Sequence, residues 1–419
     1  MSGFQAPRAG ERMLSVEEAR ESVLRDVPLV GTEEIALIDA LGRVLREDVR
    51  AVRDVPLRDN SAMDGYAVRS EDLAGASPQA PVRLSVIEDV PAGRVPTRRV
   101  EKGAAVRIMT GALLPEGSDT VVPVELTDAG SETVAIVEHV REGSHVRRRA
   151  EDMKEGAIVL RAGSRIGPAE IGVLASVQAA TVRVARRPSV AILSTGDEIV
   201  EVDQAWEPGK VVNSNSYSLA ALAREAGAAP RLMGVVKDTL EETKNAIGAS
   251  LESDFILSSG GVSVGAFDFV KDALDALGAE TSFWQVAMKP GRPLVFSRLG
   301  GKLYFGLPGN PVSCMVSFLL FVGPAVRKAM GQAGPLVPPT VRARTEGRLR
   351  SRGDRRQYLR ARVVARDGEM VAIPMRVQGS GVSTSMVGAN GFCVLDAGVT
   401  EIAPGEMVDV VIFGGIEPA

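Results

Sequence analysis

Between Ser189 and Ala329 the hydrophobic period switches repeatedly between two residues and about three and a half. The segments "SVAILSTGDE", "RLMGVVKD", "DFILSSGG", "TSFWQVAM", "PLVFSRL" and "KLYFGLPGN" read as strands. Between them "SNSYSLAALAREAG", capped near Ser214 and stopped at Gly227, "TLEETKNAIGASL" and "FDFVKDALDALG" read as helices, and "PVSCMVSFLLFVGPAVRKAM" closes the series. Strands alternating with helices of this length predict a doubly wound, mostly parallel sheet. That alternation restricts the fold more than any other feature of the chain.

The flanks have different textures. "LSVEEARESVLRDV" has helical spacing, with Ser15 and Glu18 set for a capping box. From "VRLSVIEDVPAG" to "TVAIVEHV" the pattern is short, β-like and broken by Gly and Pro, and a helix is expected to start at Pro168. After the Gly- and Pro-rich "GQAGPLVPPT" come "QYLRARVVA", "EMVAIPM", "GFCVLDAG" and "EMVDVVIF", strands suited to a small barrel. The expected class is therefore α/β multidomain: a doubly wound sheet domain, mixed α+β N-terminal domains and a C-terminal all-β domain. A chain of 419 residues has room for three or four domains.

Composition excludes several functions. A net charge of −4 and 4% aromatic residues offer neither a basic surface nor stacking platforms, so no nucleic-acid partner is expected. Cys314 and Cys393 form no CxxC pair, and with only His139 and His145 besides they argue against a zinc site. The N-terminus lacks a secretory apolar run, and the stretch around "MVSFLLFVG" reads as too short to cross a bilayer. A cytoplasmic protein without a membrane partner is expected.

Ligands of open α/β sheets bind beyond the carboxyl ends of the strands. That edge should carry Glu198, Asp238, the turn with Gly260, Gly261, Ser263 and Gly265, then Asp268, Lys289 and Arg292, and finally Pro308, Gly309, Asn310 and Pro311. The glycine turn and the Asn310–Pro311 helix start are suited to anions, because exposed N–H groups converge there. Carboxylates beside a phosphate require a hard cation such as Mg2+ between them, and Lys289 and Arg292 could neutralise phosphate oxygens. Plainer readings stand beside these. Asp238 with Glu241 spells a capping box, Asp268 falls where a helix macrodipole favours a carboxylate, and Arg147 to Arg149 suit a solvated basic turn. "GGVSVG" is not followed by Gly-Lys-Ser/Thr and is no Walker loop.

"DNSAMDGYAV", "RIMTGALLPEGSDTVVPVE", "RRRAED", "ILSTGDE", "SSGGVSVGAFDF", "AMKPGRP" and "LPGNPVS", in this order, resemble the molybdopterin molybdenumtransferase (MoeA-type, gephyrin E-domain) family. The resemblance runs from about Leu14 to Phe413. It implies an enzyme of molybdenum cofactor biosynthesis that uses Mg2+, molybdate and adenylylated molybdopterin, releases AMP and works as a homodimer. It implies domain I at 1–53 and 154–187, domain II at 54–153, a molybdopterin-binding-like domain III at 188–333 and a β-barrel domain IV at 334–419. By motif, Asp64, Thr110, Glu198, Asp238, Asp268 and Lys289 are the implied catalytic residues, with Asp238 and Asp268 on the metal side. Arg147 and Asp152 join the glycine turn, Arg292 and the Pro308–Pro311 loop in substrate binding. The active site would lie between domain III of one subunit and the first two domains of the other. Where many members have a lysine after the tryptophan, this chain has Gln285. A molybdopterin adenylyltransferase and molybdoenzyme apoproteins are implied partners. The rival readings are a gephyrin-like scaffold module and an adenylyltransferase.

Overall fold

The computed structural model describes residues 13–262 and 269–418. Helix α1 (Val16–Arg25) begins as its sequence predicts: the Ser15 hydroxyl accepts from the Glu18 amide (3.1 Å), and the Glu18 carboxylate accepts from the Ser15 amide (2.8 Å). Strand β1 (Thr32–Ala36) follows. Then β2 (Gly65–Val68), β3 (Val82–Val90), β4 (Ala104–Ile108), β5 (Thr120–Pro123) and β6 (Thr133–Ile136) form a sheet in the order β5-β2-β4-β3-β6. Helix α2 (Pro168–Ser176) carries Pro168 at its first position, and β7 (Thr181–Ala185) returns antiparallel to β1. The segments flanking the five-stranded sheet are thus brought together.

The middle of the chain alternates as expected: β8 (Ser189–Thr195), α3 (Ser214–Glu225), β9 (Ala229–Val236), α4 (Leu240–Ala249), β10 (Phe255–Ser259) and α5 (Val270–Ala276). Then come β11 (Glu280–Gln285), β12 (Pro293–Leu299), β13 (Lys302–Leu307) and α6 (Pro311–Ala329). The sheet order is β9-β8-β10-β13-β12-β11, with the first four strands mutually parallel and β12 antiparallel to both neighbours. Strand alternation sends Val190, Ile192 and Phe255 into one core with Leu219 of α3 and Phe321 of α6. Leu193, Ile256 and Tyr304 enter a second core with Ile247 of α4 and Leu274 of α5.

Helix α6 corrects one expectation from the sequence. Its 19 residues are long and apolar enough to cross a membrane by length and composition, but 78% of that window is buried inside the protein, where its side chains fill the first core. A π-helical turn spans Phe318–Val322.

The last strands are β14 (Thr340–Thr345), β15 (Arg356–Arg366), β16 (Glu369–Pro374), β17 (Gly391–Leu395) and β18 (Met407–Ile412). They pair around the ring β15-β16-β14-β18-β17 and back to β15, a closed barrel packed with Ala361, Val363, Cys393 and Val410. The short strand Met288–Lys289 leaves the central sheet and pairs in parallel with the start of β15. Barrel and central domain therefore share backbone hydrogen bonds next to the "KPG" segment. Both cysteines are free and buried, as core residues should be.

Candidate functional site

Strands β8, β9, β10 and β13 end on one edge, and the loops after them enclose a pocket of about 690 Å3. Glu198, Asp238, Gly260, Gly261 and the 308–311 loop all line it, as the strand order predicts. Ser263, Gly265 and Asp268 lie outside the described residues.

Gly260 (φ 93°) and Gly261 (φ 64°) are required by the fold itself. A Cβ on Gly260 would stand 2.7 Å from the Thr195 carbonyl, and one on Gly261 2.7 Å from the Thr195 hydroxyl. Asn310 occupies the N-cap position of α6 before Pro311, but its side chain makes no capping hydrogen bond. It faces the pocket instead.

Asp238 is not the cap of α4. Thr239 is: its hydroxyl accepts from the Glu242 amide (3.3 Å). The Asp238 carboxylate accepts from the Asp197 amide (3.3 Å), while the Asp238 amide donates to the Asp197 carboxylate (3.2 Å). Burial, together with the negative charges of Asp197 and Glu198, holds the Asp238 carboxyl above the usual carboxylate range. Such crowding suits a hard cation, although the described residues contain no group of three or more ligating side chains forming a ready-made cage.

Lys289 and Arg292 line a neighbouring cleft of about 920 Å3, between the sheet and the barrel. The two cavities share Pro293, Asn310 and Ser313 as a common wall. The cleft is strongly basic. Arg348 and Arg350 both pair with Glu401, and Arg355 pairs with Asp354. Arg360 differs. It is 1% exposed, and among the described residues its Nη2 donates only to the Val377 and Gly379 carbonyls (3.2 Å each) while its Nε has no partner. Gln357 Nε2, also on β15, has none either. Arg292 Nε donates to Gln285 (3.1 Å), so Gln285 orients a neighbouring cation.

Sequence reasoning missed Arg360, because an arginine in "QYLRARVVA" reads as a solvated strand face. It also missed Asn213 and Asn215 of "NSNS". Asn213 caps α3 by accepting from the Ser216 amide (3.2 Å). An asparagine just before a helical pattern was the available signal.

The remaining candidates lie in the N-terminal part. The Asp64 carboxylate accepts from both the amide and the hydroxyl of Thr110 (2.7 Å each), which holds its carboxyl below the usual range. Arg147 is exposed in a two-residue strand beside Asn60, and the Asp152 amide donates to the Val55 carbonyl (3.0 Å). Their neighbours Arg148 and Arg149 are tied to Asp59 and Asp54. None of Asp64, Thr110, Arg147 and Asp152 lines the sheet-edge pocket of the same chain.

The curated molybdopterin molybdenumtransferase of a Nostoc species is 39% identical over 407 residues, covering 94% of this chain and 93% of that protein. The chain belongs to the molybdopterin molybdenumtransferase family. The protein of that name from Bacillus subtilis is 37% identical, covering 96% of this chain and 94% of its own. The solved structure of the molybdopterin biosynthesis MoeA protein from Pyrococcus horikoshii superposes with a TM-score of 0.83 at 29% identity, covering 96% of this chain and all of that one. Three family models match in order: the MoeA N-terminal region (domain I and II) over 14–178, the "Probable molybdopterin binding domain" over 191–328, and the MoeA C-terminal region (domain IV) over 342–413. In molybdenumtransferase terms, the carboxylate-lined pocket lies in the second region and the basic cleft at its junction with the third. Asp64 and Thr110 lie in the first.

Proposed function

We propose that this chain completes molybdenum cofactor biosynthesis by inserting molybdate into adenylylated molybdopterin with release of AMP. The observation that carries the reading is the shared wall at Pro293, Asn310 and Ser313: a pocket rimmed by carboxylates opens beside a cleft rich in arginine and lysine. A phosphoanhydride and an inorganic dianion could then be held side by side, each by chemistry suited to it. Asp238 and Asp197 would offer carboxylates to Mg2+, with phosphate oxygens and water as its further ligands, and the positive charge would offset the repulsion between carboxylates and phosphate. Arg360, with an unpartnered donor and no carboxylate in contact among the described residues, is suited to a tetrahedral oxyanion, with Lys289 and Arg292 adding charge at the same cleft.

With this reading go a doubly wound central domain, the division at 1–53 with 154–187, 54–153, 188–333 and 334–419, a cytoplasmic location, and a homodimer whose Asp64–Thr110 unit completes the partner's pocket. Incubated with adenylylated molybdopterin, molybdate and Mg2+, the protein should release AMP without consuming ATP. Folded protein that releases no AMP would leave the scaffold reading, and ATP consumption with molybdopterin would favour an adenylyltransferase.

A further inference from the structure

Two polar atoms at the sheet-edge pocket have no partner among the described residues. The Thr195 hydroxyl, on a residue only 6% exposed at the end of β8, makes no hydrogen bond among the described residues. Asn215 Nδ2 donates to Ser259 Oγ and to the Gly309 carbonyl (2.7 Å each), while its Oδ1 is buried and unpartnered. The amide orientation is fixed by chemistry. A carbonyl can only accept, so nitrogen must face Gly309 and oxygen is the atom left over. Both residues line the pocket, and both adjoin Ser259: Asn215 through its hydrogen bond, Thr195 because the residue before it pairs with Ser259 in the β8–β10 register.

A buried hydroxyl or amide oxygen without a partner costs stability, so a fold that keeps two in one pocket implies a use for them. The residue types restrict that use. Asn215 Oδ1 can only accept, whereas the Thr195 hydroxyl can donate or accept. We propose that Thr195 and Asn215 are further substrate-contacting residues, which bind a group of the substrate carrying both a donor hydrogen and an acceptor. In adenylylated molybdopterin three parts have this chemistry: the ribose hydroxyls, the amino edge of adenine and the amide edge of the pterin ring. Both atoms are covered in this structure, and the Gly260–Gly261 turn rests against the hydroxyl, so contact requires that turn to move aside. The inference rests on the functional reading above and adds which protein groups recognise the substrate.

Thr195→Val provides a clean test, because it preserves shape and removes a hydroxyl that no described protein group uses. The expected melting temperature is unchanged or raised. The KM for adenylylated molybdopterin should rise about tenfold with kcat largely kept, as for one lost hydrogen bond. Thr195→Ser should restore affinity. Titrating AMP and 6-hydroxymethylpterin separately assigns the source: weakened AMP binding points to the nucleoside, weakened pterin binding to the pterin ring. If Thr195→Val keeps wild-type KM and wild-type affinity for both probes while the enzyme releases AMP, the inference is overturned and the function stands. If the wild type releases no AMP and binds neither probe, both fall together.

Discussion

Asp238 is a carboxylate that the fold makes costly, because it is half buried and crowded by Asp197 and Glu198. Its pKa is raised on folding, so the folded chain holds this proton more tightly than the unfolded one. The associated stability is present below the unfolded carboxylate value, near pH 4, and is lost as pH rises through the higher folded value. At neutral pH the charged side chain therefore destabilises the fold unless a cation joins it. Asp238→Asn should raise the melting temperature at pH 7.5, and that gain should shrink towards pH 4. AMP release should meanwhile fall by roughly a hundredfold, close to 3 kcal/mol of barrier. Added Mg2+ should raise the wild-type melting temperature and leave that of the variant alone. Wild-type turnover in Asp238→Asn would remove this residue from the site.

At the scale of elements, Asp254 shows how the central sheet is joined to the segment before it. It precedes β10, accepts from both Nη groups of Arg186 (2.7 Å each) and from the amide (2.8 Å) and hydroxyl (2.9 Å) of Ser189 at the start of β8. Burial pushes its pKa up, but Arg186 and Ser189 outweigh burial and bring it to about 2. A lowered value gives stability above the unfolded value, lost as pH falls from about 4 to about 2. Asp254→Asn should then cost about 2 kcal/mol at pH 7 and almost nothing near pH 2, which unfolding titrations at several pH values would measure. Equal cost at both pH values would mean that hydrogen-bond geometry, not charge, makes the joint. Nothing in "ESDFILSS" announces this joint, since its partners are set by how β8 and β10 lie in register. Local signals were readable: the Ser15–Glu18 box, Pro168 and the alternating strands each follow from residues within one turn or one strand. So was the set of loops on the sheet edge, because parallel strands put all their carboxyl ends on one side. Asp238 read ambiguously because Thr239, one residue on, caps equally well. Arg360, Asn215 and Thr195 stayed hidden, since a missing hydrogen-bond partner exists only once the chain is folded.

At the scale of the whole molecule, the proposed function asks more of the pocket than one chain puts there. Asp64 and Thr110 are bonded to each other on an exposed surface, and neither lines that pocket. The N-terminal part also exposes apolar side chains: Ile38 is 85% exposed, with Leu29, Leu41, Val52 and Leu57 all above half. Burying such side chains would favour association, and a two-fold dimer would bring each pocket a second chain's surface. Subunit mixing tests the arrangement. Asp64→Ala and Asp238→Ala proteins, each inactive alone, should on equal mixing and exchange give half heterodimers. Each heterodimer has one site with both carboxylates and one with neither. Recovered activity should therefore approach about a quarter of the wild-type value. If each site were built within one chain, every site would lack one carboxylate and mixing would restore nothing. Verified exchange without recovered AMP release would thus rule out the shared site, while leaving the reading of Asp238 untouched.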